Sequence, residues 1–237
     1  MSSATLLAVD TAAERCTLAL AHDGAITLRC GAAGQTHLEH VLPMIEGLLR
    51  DCGKQPRDCA AFAFGSGPGS FTGLRVACTL VQGLALGAGR PVIAVGHLDA
   101  LPYAAYAALP PAGRRVLALL DARMHEAYWA VYEVADGAWH TLAAPVVGGR
   151  ADLLRALAQW QPQACLGNAD WIRGYIDAGA VALHAATVDA GTVARLALQR
   201  LARGAVLEPA QALPLYVRDR VALTVAQRRD AQAGRPA

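Results

Sequence analysis

The sequence predicts an α/β protein of two lobes, each a mixed sheet with helices, and three observations support this. The first is a three-stranded meander, with an apolar strand that ends at Asp10, a returning strand at 16–21 and a third strand at 25–30. The second is that strand, Asp, turn and returning strand recur from 117 to 131, again followed by an Asp-Gly hairpin turn. The third is that helical patterns alternate with short apolar strands around both meanders. The two halves match in pattern more than in identity, so coincidence between two hairpins stays open.

The remaining elements follow from hydrophobic periodicity and from start and stop signals. A capping box opening at Thr36 begins a helix over 36–50, in which Pro43 should cause a kink. After it, in chain order, we expect a strand ending at 64, a helix at 72–89, a strand at 91–95, a helix from 96, strands at 116–120, 127–134 and near 140–143, a helix at 152–161, a strand at 164–166 and a helix at 190–204.

A break at Pro110-Pro111 separates the two halves of the pattern. We therefore expect an N-terminal lobe over residues 1–110 and a C-terminal lobe over residues 111–225. Residues 226–237 contain three arginines and no apolar face, which predicts a solvated tail.

Composition limits the classes of function. The chain has 237 residues, 54% of them hydrophobic and 17% charged, which is typical of a compact globular protein. The net charge of +2 gives no strong electrostatic footprint for nucleic acid. Six cysteines without a C-x-x-C spacing indicate a reducing compartment. The first residues lack a basic signal-peptide region and no apolar run is long enough for a membrane span, so we expect a soluble, cytoplasmic protein without membrane contact.

The most distinctive segment is a glycine turn at residues 65–73, which contains four glycines and Pro68. It lies between a buried strand and a helix that Ser70 or Thr72 can cap, and a helix N-terminus of this kind can bind an anion. Neither G-x-x-x-x-G-K-[ST] nor G-x-G-x-x-G is present. A tight connection that binds no ligand therefore stays an equal alternative.

The helix predicted at 72–89 has two faces that differ in side-chain size. One face is apolar, and the other carries almost no side chain, at Thr79, Gly83 and Gly87. Each glycine costs about 1 kcal/mol relative to alanine inside a helix, which favours a packing role. The smooth face could receive a helix from another protein or be buried within its own lobe, and the residues leave both open.

The glycine motif at 67–75, G-P-G-S-F-T-G-L-R, together with L-L-A-V-D-T at 6–11 and P-L-Y-V-R at 214–218, resembles the bacterial TsaB family, also called YeaZ. The similarity runs from Leu6 to about Leu223. It implies the two-lobed actin-like fold of sugar kinases and Hsp70. It also implies a subunit that pairs with a TsaD-like transferase in forming N6-threonylcarbamoyladenosine in tRNA. A TsaE-like ATPase joins in such systems, the family's chains form homodimers when alone, and tRNA is contacted through the complex.

The same resemblance indicates that catalytic equipment is missing. TsaD carries an H-x-x-x-H metal motif after the strand corresponding to 92–95, where this chain reads His97-Leu-Asp-Ala-Leu101. Leucine has no lone pair for a metal, and Asp99 lies about half a turn round the helix. Neither Gly148-Gly149 nor Gly167 makes a convincing adenosine clamp. We expect no metal, no cofactor and no catalytic residue, with an active small-molecule kinase or a metallopeptidase as the alternative.

The residues expected to contact the partner lie on helices 36–50 and 72–89, and they are Leu38, Val41, Ile45, Arg75, Thr79, Gly83 and Gly87. By analogy with the first phosphate loop of actin-like ATPases, residual nucleotide contact is expected at Asp10, Thr11, Gly67, Gly69 and Ser70. Asp10 could instead only cap its turn. Weak ATP or ADP binding is expected mainly at the partner interface.

Overall fold

Two five-stranded sheets form the framework of the structure, a computed structural model that describes residues 4–13, 15–32, 37–106, 110–172 and 181–218. The cap at Thr36 and the tail at 226–237 lie outside these residues. The strands of the first sheet are β1 (Leu6–Asp10), β2 (Thr17–His22), β3 (Ala25–Cys30), β4 (Ala61–Gly67) and β5 (Val92–Gly96). Those of the second are β6 (Arg115–Arg123), β7 (Glu126–Ala135), β8 (Ala138–Gly149), β9 (Ala164–Gly167) and β10 (Ala182–Ala185).

The α-helices in the described residues are α1 (His37–Asp51), α2 (Phe71–Ala88), α3 (His97–Ala105), α4 (Arg150–Trp160) and α5 (Ala190–Ala202). Short 3-10 turns lie at Pro56–Asp58, Asp170–Ile172 and Pro209–Gln211. Helix α1 runs without interruption through Pro43.

The two sheets have the same strand topology. The first has the order β3-β2-β1-β4-β5 and the second β8-β7-β6-β9-β10, so each strand has a counterpart. In each sheet the central strand pairs antiparallel with the next strand of its meander and parallel with the fourth strand. The predicted two-lobed α/β fold with duplicated lobes is therefore confirmed.

Two strands of the second sheet differ from the prediction. Strand β8 continues to Gly149, although a strand ending near 143 was expected, and β10 was not expected at all. Pro145 and the glycines at 148–149 are typical of a loop, but β8 is an edge strand, where proline is tolerated. In β10 only Leu183 is buried, so its apolar pattern is too weak to predict a strand.

Helices cover both faces of the first sheet. Alternate strand residues such as Leu7 and Phe62 pack against α1 and α2. Their neighbours, including Leu6 and Ile93, pack against α5, whose Ala190 N–H donates to Thr17 Oγ1 at 2.9 Å. Helix α5 follows the second sheet in sequence, yet it covers the first. A division at residue 110 separates this helix from its sheet, and the domain boundaries themselves stay a prediction.

Helix α3 joins the two lobes. Leu98 and Leu101 are buried against Val116 and other residues of the second sheet, while the helix begins directly after β5 of the first. Asp99 accepts hydrogen bonds from Tyr132 Oη at 2.8 Å and from Arg200 Nη2 at 2.9 Å. These contacts place the carboxyl end of β5 at the junction of the lobes.

Candidate functional site

The glycine turn is fixed by hydrogen bonds to the turn of the first hairpin. It connects β4 to α2, and Ser70 caps α2 by accepting the Gly73 N–H at 3.3 Å. The Ser70 N–H donates to Ala12 O at 3.0 Å, and Thr11 Oγ1 donates to Gly73 O at 2.6 Å. The two turns are therefore held together, and the predicted serine cap is confirmed.

Two positions of the glycine turn require glycine because the backbone of this turn touches the backbone of the first hairpin turn. A Cβ at Gly73 would lie 1.8 Å from Thr11 O, and one at Gly69 would lie 2.8 Å from Ala12 Cβ. No side chain fits at these separations. The glycines therefore admit another part of the same chain.

This packing involves the residues of the predicted nucleotide contact, which stays a prediction. Asp10 and Thr11 are buried, and Thr11, Gly67 and Ser70 have backbone or hydroxyl groups engaged within the chain. Gly69 lies against the hairpin turn on one side, and both Gly69 and Ser70 are exposed on the other. The five residues are brought together at a junction between the two turns.

A buried histidine and carboxylate complete this junction. His97, the first residue of α3, has Nε2 at 2.9 Å from Asp10 Oδ2, while its Nδ1 accepts the Gly67 N–H at 3.0 Å. Because Nδ1 is an acceptor, the ring proton lies on Nε2 and is donated to Asp10. Asp10 Oδ1 also accepts the Ala12 N–H at 2.9 Å, which confirms that Asp10 caps its turn.

Burial and charge oppose each other at this histidine. Burial disfavours the imidazolium and lowers the pKa of His97, but the adjacent Asp10 carboxylate prevails and leaves that pKa raised above its ordinary value of 6.5. A second proton on Nδ1 would turn an acceptor into a donor facing the Gly67 N–H. Charging the ring therefore costs the Gly67 hydrogen bond but strengthens the ion pair with Asp10, and the ion pair prevails.

The residues of this site do not fit the metal centre that the H-x-x-x-H motif describes. Both nitrogens of His97 are engaged, and Leu101 is fully buried among apolar side chains of α3 and the second sheet. Within the described ranges, no group of three or more His, Cys, Asp or Glu side chains could hold a metal ion. The chemistry available here is hydrogen bonding that positions the two turns.

No local pattern indicated the Asp10–His97 pair, because the two residues are 87 positions apart. The order of the strands in the sheet was the signal that could have predicted this pair. Strands β1, β4 and β5 are adjacent and parallel, so the residues that end or follow them meet at one edge. Asp10, Gly67 and His97 all occupy that edge.

The second lobe repeats the acidic turn without the histidine. Asp121 Oδ1 accepts the Arg123 N–H at 3.0 Å, as Asp10 accepts from Ala12, but β10 is followed by Ala186. Gly167 has a φ of 141°, and a Cβ there would lie 1.7 Å from Leu119 O. Gly149 caps α4, and its N–H donates to Asp152 Oδ2 at 3.0 Å. Gly149 and Gly167, which were considered for an adenosine clamp, therefore serve the packing of the second lobe.

Helix α2 exposes one complete face. Every fourth residue is exposed along its length, and this stripe consists of Phe71, Arg75, Thr79, Gly83 and Gly87. A Cβ at either glycine of the stripe would have nothing within 4 Å, and the neighbouring Leu86 is 76% exposed. The possibility that the smooth face is buried within its own lobe is therefore wrong.

The opposite face of α2 lies in the core, at Leu74, Ala77, Val81 and Ala85. By length and composition α2 could also cross a membrane. The buried face against the first sheet identifies it instead as a core helix with one open side.

Two residues predicted on the partner surface are misplaced. Val41 and Ile45 are 0% and 2% exposed and pack under α1 against the first sheet. The apolar face of a surface helix normally faces its own core, and the prediction did not allow for this. Leu42, on the outer side of α1, is 45% exposed. The side chain of Leu38 lies outside the described residues.

Comparisons with known proteins identify the family. A family model described as "TsaD: tRNA N6-adenosine threonylcarbamoyltransferase" matches residues 31–169. The Escherichia coli (strain K12) protein named tRNA threonylcarbamoyladenosine biosynthesis protein TsaB is 35% identical over 229 residues, which are 92% of this chain and 96% of that protein. The chain belongs to the TsaB family. The region matched by the TsaD model includes both His97 and Leu101.

Solved structures agree with this assignment. A Pseudomonas aeruginosa crystal structure, described as an uncharacterized protein with similarity to peptidase YEAZ, is 35% identical with a TM-score of 0.80, and the match covers 91% of this chain and 100% of that one. The structure described as YeaZ from the same species is 34% identical with a TM-score of 0.75, covering 90% and 99%. The predicted TsaB (YeaZ) membership and the actin-like two-lobed fold are confirmed.

Proposed function

We propose that this chain is a non-catalytic subunit that pairs with a TsaD-like transferase in forming N6-threonylcarbamoyladenosine in tRNA. The TsaB relative at 35% identity is named for this biosynthesis, which supports the pathway. The observation that carries the non-catalytic role is the junction at His97, whose ring nitrogens are both engaged while the second motif position is a buried leucine. The transfer chemistry then belongs to the partner.

The open stripe of α2 is the proposed contact with the transferase. Gly83 and Gly87 present backbone and Thr79 a small side chain, so a partner helix can approach closely, and Arg75 adds a charge at the N-terminal end. A groove of about 550 Å³ between α1 and α2, lined in part by Leu42, Leu49 and Leu84, extends the surface toward α1. Val41 is not part of this contact, whereas Ile45 lies at the bottom of the groove as a buried lining residue.

Other partners follow from the same role. A TsaE-like ATPase joins the complex, and a second copy of this chain occupies the α2 face when the transferase is missing. The complex contacts tRNA, which agrees with a net charge of only +2 on this chain. Any nucleotide binds weakly and at the partner interface, because the backbone and hydroxyl groups of Thr11, Gly67 and Ser70 are engaged within the chain. The complex acts in the cytoplasm.

An omission assay tests the proposal. The purified chain, its TsaD-like partner and the other components are mixed with unmodified tRNA and threonylcarbamoyl-adenylate, each protein is left out in turn, and the modified nucleoside is measured by mass spectrometry. We expect product only when this chain and the transferase are both present. Product from this chain without the transferase, or undiminished product without this chain, would refute the role.

A variant separates a structural role for His97 from a catalytic one. His97→Gln removes the imidazole but keeps a side chain able to hydrogen bond. If the variant folds and pairs, the complex should retain most of its activity. A loss of 100-fold or more with pairing intact would show that the imidazole takes part in the reaction.

A further inference from the structure

The segment that follows α5 returns across the first lobe. Leu207 exchanges backbone hydrogen bonds with Val92 at 2.8 and 2.9 Å. Ala212 is buried, and its carbonyl accepts from Gln82 Nε2 at 3.0 Å and from Cys78 Sγ at 3.3 Å. The start of residues 212–218 is therefore anchored on α2.

The middle of this segment crosses the glycine turn. The Leu215 N–H donates to Ser66 O at 2.7 Å. The Tyr216 ring lies 5.6 Å from the Phe71 ring, and its hydroxyl accepts from Arg75 Nε at 3.1 Å. These side chains are largely exposed, so the middle is held by few buried contacts.

At the end of the segment, Arg218 makes polar contacts with the second lobe. Arg218 Nη2 donates to Glu126 Oε2 at 2.6 Å and to Ala122 O at 3.0 Å, beside the turn between β6 and β7. The Arg218 and Glu126 side chains are 21% and 39% exposed, so solvent screens the pair only in part. The segment thus spans both lobes.

A cleft of about 470 Å³ lies beneath it. Gly67, Gly96, Leu98 and Asp99 line one side, Ala144 and Pro145 line the other, and residues 215–217 complete the wall. We propose that residues 212–218 form a strap that closes this cleft between the lobes, with Arg218 as its fastening. Because Arg218 makes the polar contacts to the second lobe while the other end is buried, losing its ion pair frees one end of the strap.

The test uses a thiol inside the cleft. Leu98→Cys replaces a cleft residue that is 1% exposed, and the native Cys165, 0% exposed within the second lobe, reports unfolding of that lobe. Alkylation of both positions is followed by peptide mass spectrometry. Adding Arg218→Ala or Glu126→Ala should speed alkylation at position 98 about tenfold and leave Cys165 unchanged.

The matched control is Glu133→Ala. Glu133 also lies on β7 and accepts from an arginine, Arg115 Nε, at 2.7 Å, but this ion pair stays within the second lobe. It should leave alkylation at position 98 unchanged. The strap is refuted if Arg218→Ala and Glu126→Ala have no effect, if Cys165 accelerates equally, or if Glu133→Ala has the same effect.

Discussion

Replacing Gly83 by leucine should stabilise the isolated chain and abolish its pairing with the TsaD-like subunit. Gly83 lies inside α2 on the open stripe, and a Cβ there has nothing within 4 Å. Glycine is about 0.8 to 1 kcal/mol less favourable than alanine in a helix interior, and leucine is close to alanine. We therefore expect Gly83→Leu to raise the free energy of unfolding by about 0.7 kcal/mol, which is about 2 °C in Tm for a chain of this size.

The effect on pairing should have the opposite sign. Packed helix axes lie about 8 to 10 Å apart, and the closest approaches need small residues at the crossing. A leucine side chain at the centre of the stripe would hold the partner helix away and remove contacts on both sides. We expect the Kd for the TsaD-like subunit to rise at least about 100-fold, equivalent to about 2.7 kcal/mol.

Two measurements on the same protein preparations test the predicted effects of Gly83→Leu on stability and on pairing. Urea denaturation, at a protein concentration low enough for the chain to be monomeric, gives the stability of the isolated chain, and calorimetric titration gives its affinity for the transferase. The control is Ala151→Leu, an exposed small residue on α4 of the second lobe, which should leave affinity unchanged. Wild-type affinity in Gly83→Leu would place the contact elsewhere, and a loss of stability would show that the face is not open.

Three further predictions concern the buried junction. Asp10→Asn places an amide donor against His97 Nε2–H and should cost about 2 to 3 kcal/mol by urea denaturation, while Asp121→Asn, at the equivalent turn, should cost under about 1 kcal/mol. The raised pKa of His97 makes its pair with Asp10 fully stabilising below pH 6.5, and this contribution is lost as the pH rises through the folded-state pKa. The stability difference between wild type and His97→Gln should therefore shrink above pH 6.5, and a difference that grows would contradict the assignment. Gly73→Ala puts a methyl group 1.8 Å from a backbone oxygen and should cost more than about 3 kcal/mol, whereas Gly83→Ala should stabilise.

Much of the fold could be predicted because local patterns and tertiary packing agree. Alternating apolar residues, Asp-Gly turns and the strand after each crossover indicated both meanders, and the repeated acidic turn indicated the duplication. Strand β10 lacks this agreement, because a short edge strand that buries one side chain shows little alternation of apolar and polar residues. Strand β8 appeared to end early because Pro145 and the glycines at 148–149 are typical of a loop.

The site was harder to predict because its decisive contacts are not local. The glycines of the turn indicate close approach, but they do not reveal whether a ligand or the first hairpin approaches. Here Thr11 and Ala12 do so. For α1, the apolar face could belong to the core or to a partner, and the sheet beneath it determines that Val41 and Ile45 are core residues. For α2, the sequence left open whether the smooth face is buried in its own lobe, and the exposure of Gly83 and Gly87 decides against that.

The return of α5 to the first sheet has a consequence for synthesis of the protein. When a ribosome has made only the first half of the chain, the sheet face containing Leu6, Ala8, Ile93 and Val95 lacks α5 and has only part of its cover, from α3. The rest of that face stays apolar and open until residues 190–202 emerge. A nascent chain therefore exposes a surface suited to chaperone capture, and the N-terminal half expressed alone should aggregate.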